Sequence, residues 1–346
     1  MAKKQEQESD YKSEIKRLKE CGPDKLYFIY GSEDYLSNKY LEELRKACLP
    51  NGDDGFSLKI FEGPGMDLKA FQSALNSMPF LSERIFIELH NVDINKLPDA
   101  EAFLNVMKEI PEYCTAAFLQ DFTYEPDGRL KLVKYLKTNA HVLFFNVQEN
   151  KALVSWIQKR FSAYGKIISY DACERLMFVS GTLMNRLIPE IEKAAGYAAG
   201  EQVTVSDIDA VANHIPEADV FEMVEQISKR NLNSAMRILC ELLYDKKTEP
   251  IAVIALIGRQ FRRIYGVKLA LLAGKGYDGA AEILGTNWSK IVNEAITAAK
   301  GFSLKKLMDA VELCADTDYQ MKSSSVDDAE LLKDLILRLG ICDEKT

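Results

Sequence analysis

Residues 31–38, Gly31-Ser32-Glu33-Asp34-Tyr35-Leu36-Ser37-Asn38, follow a strand-like run, KLYFIY at 25–30, and lead into a helical pattern. A strand, a loop and a helix in that order are how a phosphate cradle of the GxxxxGK[ST] kind is built. Glycine lets backbone amides approach the anion, lysine reaches the β- and γ-phosphates, and a hydroxyl binds magnesium. Leu36, Ser37 and Asn38 stand in those three positions, and Glu33 and Asp34 put negative charge where an anion would lie. The residues suit a helix N-terminus capped by its own acids better than a nucleotide site. A later run of apolar residues ending in paired acids is also missing, because RIFIELHNV at 84–92 carries Glu88 mid-strand and TAAFLQD at 115–121 ends in the single acid Asp121. ATP hydrolysis by this chain alone is not expected.

Other chemistry-bearing residues are dispersed. Cys21, Cys48, Cys114, Cys173, Cys240, Cys314 and Cys342 form no CxxC pair, which reads as reduced core thiols. With His90, His141 and His214 as the histidines, no zinc-type ligand cluster follows from local spacing, so neither a metal nor another cofactor is expected. In SGTLMNRLIPEIEKAA, Met184 takes the place of a phosphate-sensing arginine, and Arg186 reads as an ordinary exposed side chain.

Two features point to partners instead. Met78-Pro79-Phe80-Leu81 is an apolar stretch between a helical pattern and a strand, where loops normally face water. Phe80 and Leu81 either fold back onto the core or anchor an interface. Arg259, Arg262 and Arg263, at spacings that share a helix face, make a basic stripe with Lys268. That stripe is either a solvated, ion-paired face, the commoner case, or a contact for DNA or a neighbouring subunit. The run YDGAAEILGTNWSKIVNEAITAAKGF at 277–302 reads as helix, glycine turn, helix, but Trp288, Ile291 and Val292 have the character of packing residues rather than base readers.

These residues need a scaffold. A chain of 346 residues, 47% of them hydrophobic, has material for two or three folded domains. The runs at 25–30, 57–63, 84–92, 115–121 and 141–147 alternate with helical patterns and predict a five-stranded parallel sheet with helices on both faces. Between two of them, Leu68, Phe71, Leu75 and Met78 recur at helical spacing behind Asp67, a suitable N-cap. After about Gln148 the strand signal ends. Helices are expected over 151–164, 171–179 and 183–198, stopped by Gly181 and Gly200, with Ser206 capping one more. Beyond a HIPEAD turn at 214–219, five or six helices reach Leu339, with breaks at 230–231, 248–250, 274–276, Gly285, Gly301 and 323–325. The expected division is a tail at 1–20, which is partly helical and solvated, an α/β domain at 21–148, a small helical domain at 149–214 and an all-α domain at 215–346. The net charge of −8 argues against autonomous nucleic-acid binding. No run of roughly 18 uncharged apolar residues predicts a membrane span, and the N-terminus lacks an apolar signal stretch, so a cytoplasmic protein is expected.

Three segments in order and spacing resemble the delta subunit family of the bacterial DNA polymerase III clamp loader. LYFIYGSEDYLSNKYLEELR at 26–45 is similar to the family's opening strand, G-x-[ED]-x-[YF]-L turn and helix. ALNSMPFLSERIFIEL at 74–89 is similar to its helix, exposed apolar loop and Ser-x-Arg lead into a strand. VFEMVEQISKRNLNSAMRILCELLYDKKTEPIAVIALIGRQFRRIYGVK at 220–268 is similar to its C-terminal pattern of EP turn and RQFR helix. The resemblance spans Lys25 to Leu339. It implies an AAA+-like fold without ATPase capacity, a helical lid and a helical oligomerising collar. It also implies a place beside gamma/tau and delta prime subunits around primer-template DNA, and a grip on the beta sliding clamp through Phe80 and Leu81, with Met78 and Pro79 leading into them. A divergent AAA+ ATPase and a helix-turn-helix DNA-binding protein are the competing readings. The former is opposed by Ser37 in place of lysine, the latter by the acidic balance and the five-stranded domain.

Overall fold

In a computed structural model of the chain, residues 8–341 are described, apart from 64, 65, 81, 122 and 287. They pack as two units: residues up to 153 together with 182–188, and residues 154–181 together with 189 onward.

The first unit is built on five parallel strands, in the spatial order 58–62, 85–90, 114–119, 26–30 and 141–144. Along the chain its elements are α1 (Tyr11–Cys21), β1 (Leu26–Tyr30), α2 (Asp34–Cys48), β2 (Leu58–Glu62) and α3 (Leu68–Leu75). They continue with β3 (Ile85–His90), α4 (Ala100–Lys108), β4 (Cys114–Leu119), α5 (Lys131–Asn139) and β5 (His141–Phe144). All five residues of β1 and all six of β4 are buried, as a strand covered on both faces requires. On one face Phe28, Ile87, Leu89 and Phe118 pack with Phe71, Phe103 and Leu136 of α3, α4 and α5. The rings of Phe71 and Phe103 stack at 5.1 Å, an arrangement worth about 0.5–1.5 kcal/mol beyond area burial. On the opposite face Tyr27 meets Tyr40 of α2.

Residues 11–20, which the sequence placed in a partly helical, solvated tail, belong to α1, which packs against α2. Leu18 is buried, Glu14 bonds His141 at 2.7 Å, and the Ser9 amide donates to the Phe144 carbonyl. These contacts close the edge of β5. A second shift from expectation lies in α3. Asp67 caps it, accepting from the Lys69 amide at 2.9 Å, but the helix ends at Leu75 rather than near Met78.

The second unit holds most of α6 (Asn150–Ala163), α7 (Tyr170–Ser180), most of α8 (Met184–Tyr197) and α9 (Val205–Val211), the opening residues of α6 and of α8 belonging to the first unit. A short parallel pair, β6 (Ile167–Ile168) and β7 (Gln202–Val203), lies among them. Thr204, not Ser206, caps α9: its hydroxyl accepts from the Asp207 amide while Asp207 accepts in return, a reciprocal box that fixes the helix start two residues earlier. Among the described residues seven α-helices follow rather than five or six, since almost every predicted break ends one. They are α10 (Pro216–Ser228), α11 (Leu232–Cys240), α12 (Pro250–Leu272), α13 (Gly276–Leu284), α14 (Ser289–Gly301), α15 (Leu304–Ser323) and α16 (Asp328–Ile341). Pro216 opens α10, so Asp219 of the predicted turn is helical. The long α12 is the axis, with Val253, Ile257, Phe261 and Ile264 packed among residues of α10, α14 and α15. No helix among the described residues is long and apolar enough to cross a membrane.

Candidate functional site

At the N-terminal end of β3 the chain makes an arch. α3 turns Phe71, Ala74 and Leu75 inward, and the Ser77 amide then donates to the Ala74 carbonyl at 3.2 Å. At the far side the Ser82 hydroxyl bridges to Ser57 Oγ at 2.5 Å and to the Arg84 carbonyl at 2.7 Å. Between these fixed ends Met78 is 80% exposed and Phe80 83% exposed, while Pro79 is half-buried. Phe80 therefore does not fold back onto the core. Leu81 lies outside the described residues. Two large apolar side chains thus stand in water between anchored ends.

At the C-terminal end of the sheet, the loop that resembles a phosphate cradle is sealed. The Glu33 amide donates to the Phe145 carbonyl at 3.1 Å, the Val147 amide donates to the Ser32 hydroxyl at 3.1 Å, and Ser32 also bonds Asn146. Gly31 has φ +130°, and a Cβ there would come within 1.9 Å of the Phe145 oxygen. Glu33, almost wholly buried, accepts from the Tyr35 amide at 3.3 Å through Oε1 and from the Met184 amide at 3.2 Å through Oε2. A carboxylate thus occupies the N-terminus of α2, the place a phosphate would take. Burial pushes this carboxyl above the ordinary glutamate value, against the two amide hydrogen bonds that lower it. Leu36 and Ser37 are buried, and Asn38 bonds the Asp34 carbonyl at 2.8 Å. Gly31 thus belongs to a closed turn, and Leu36, Ser37 and Asn38 belong to the opening of α2.

The other candidates separate. Arg259, Arg262 and Arg263 lie exposed along α12 with Lys268 half-buried, and Arg259 reaches Glu217 at 3.7 Å. Arg186 is exposed and Met184 buried. Trp288 is buried against Phe178, their rings 5.6 Å apart, so it packs rather than reads bases. Among the described residues no three His, Cys, Asp or Glu side chains are placed to hold a metal. Burial pushes the Cys48 and Cys114 thiols up to about 11.

Sequence reasoning missed one buried charge network. Glu88, wholly buried mid-strand in β3, takes a two-pronged hydrogen bond from Arg45 at 2.6 and 2.8 Å and a third contact from His90 at 2.9 Å. A charged residue inside an otherwise apolar strand was the available signal, since such a group is retained only with partners. The network fastens α2 to the sheet.

Two family models match the chain. One, described as DNA polymerase III, delta subunit, matches residues 27–146, and the other, for the C-terminal domain of the DNA polymerase III delta subunit, matches residues 217–339. The DNA polymerase III subunit delta of Bacillus subtilis is 25% identical over 338 residues, covering 95% of this chain and 97% of its own. The probable DNA polymerase III subunit delta of Aquifex aeolicus is 20% identical over 329 residues, covering 90% of each. The solved structure of the Bacillus subtilis DNA clamp loader delta protein matches with a TM-score of 0.51 at 24% identity, over 95% of this chain and 99% of that one.

Proposed function

We propose that this chain, which belongs to the DNA polymerase III delta subunit family of clamp loaders, grips the beta sliding clamp through the arch at 78–81 and opens it without hydrolysing ATP itself. The observation that carries this reading is Phe80, 83% exposed between anchored ends. Two apolar side chains inserted into a pocket on the clamp supply contact energy where they stand. A clamp ring strained on binding yields at an existing interface, so the work of opening comes from binding rather than from phosphate chemistry. The sealed loop at 31–38 supports the passive role, because Glu33 already fills the anion position. That same carboxylate disfavours the competing reading of an active ATPase.

In this reading residues 21–148 are the clamp-holding domain, 149–214 the lid and 215–346 the collar through which the chain joins gamma/tau and delta prime subunits in the cytoplasm. The arginines of α12 face either those neighbours or primer-template DNA in the assembled loader. The test is release of a clamp already closed on circular DNA. Added alone, the chain is expected to accelerate release equally with and without ATP, and steady-state phosphate formation should stay at the buffer blank. Release that requires ATP, or no release at all, overturns the reading.

A further inference from the structure

We propose that Phe56 is a second apolar contact for the same clamp, set beside the arch by the pairing of β2 with β3; this rests on the reading that the arch grips the clamp. Phe56 is 63% exposed and just precedes β2, while the arch just precedes β3. The two strands are parallel neighbours, so both segments lie at the same end of the sheet. They are also tied directly. The Phe86 amide of β3 donates to the Ser57 carbonyl at 2.8 Å, and Ser82 of the arch bonds the Ser57 hydroxyl at 2.5 Å.

Phe56 is not exposed for want of order. Asp54 Oδ1 accepts from the amides of Phe56 at 2.9 Å and Ser57 at 2.6 Å, its Oδ2 takes the Ser57 hydroxyl at 2.7 Å, and Asp53 accepts from the Gly55 amide at 2.9 Å. A turn so pinned fixes the backbone that carries Phe56 before any partner arrives, which lowers the ordering cost of binding. Ile60, 55% exposed on β2, adds apolar surface on the same strand, and Asp53 and Glu83 are exposed beside the two segments. The complementary face on the clamp is an apolar pocket continued by a shallow apolar strip.

The experiment measures binding of the full-length chain to the immobilised sliding clamp, with thermal unfolding recorded on every variant. Phe56→Ala is expected to weaken binding roughly fivefold to thirtyfold, with unchanged unfolding, and Phe56→Leu to recover most of the loss. If Phe80→Ala weakens binding but Phe56→Ala does not, this inference is overturned and the arch reading stands. Should neither variant weaken binding, the arch reading falls and takes this one with it. Lost affinity in Phe56→Ala accompanied by a lowered unfolding temperature would make Phe56 a structural residue and overturn its role as a contact.

Discussion

Glu33 and Met184, 151 positions apart in the chain, meet through a hydrogen bond of 3.2 Å from the Met184 amide to Glu33 Oε2. It closes the α2 N-terminus with an internal carboxylate and fastens the 182–188 segment to the unit that carries the arch.

The first prediction follows from the cost of burying that carboxylate. Because burial lifts its native pKa above the ordinary 4.5, the native state holds the proton to higher pH than the unfolded chain. Wild-type stability should therefore fall as pH rises from that value through the raised native one. Glu33→Gln cannot ionise and lacks the slope, so its unfolding temperature relative to wild type should climb with pH over this window. A difference that is constant, or that falls with pH, would contradict the assignment.

Gly31→Ala should cost about 2–4 kcal/mol, since a Cβ would stand 1.9 Å from the Phe145 oxygen and φ is +130°. Thermal or urea unfolding measures it. A variant as stable as wild type would mean that the turn at 31–33 is looser than its hydrogen bonds indicate.

Arg45→Ala should destabilise by about 1–3 kcal/mol, less than the 3–5 typical of a broken buried pair because the Arg45 side chain is 40% exposed. Burial alone would raise the Glu88 carboxyl, but hydrogen bonds from His90 and Arg45 outweigh it and hold it below the usual range. A depressed native pKa stabilises above the unfolded value and is lost as pH falls through the native one. Acid unfolding curves should thus show a slope in wild type that Glu88→Gln lacks. Equal slopes would place the acid sensitivity elsewhere.

Much of this architecture was legible because it rests on local, repetitive signals. Parallel strands covered on both faces read as apolar runs, and each of the five begins within one residue of where composition put it, as with TAAFLQD against Cys114–Leu119. The glycine stops held for the same reason: Gly181, at φ +86°, ends α7 with its amide on Met177. What was hidden depends on long-range contact. The pair Ile167–Ile168 and Gln202–Val203 is too short for a period-2 pattern. The Thr204 cap was obscured by Ser206, an equally good capping type two residues on. Glu33 was readable as an acidic cap, but not as the partner of Met184. At the arch, the sequence supplied the apolar stretch but left open which way it faced, and the early end of α3 at Leu75 is what turns Met78 outward.

The most direct test of the clamp-gripping role is the affinity of Phe80→Ala/Leu81→Ala for the sliding clamp, measured beside thermal unfolding of the same protein. A loss of roughly 2 to 6 kcal/mol of binding, some two to four decades of affinity, is predicted with the unfolding temperature unchanged. Unchanged affinity, or lost affinity together with global destabilisation of the kind a core truncation causes, would contradict it and place the clamp contact elsewhere on the chain.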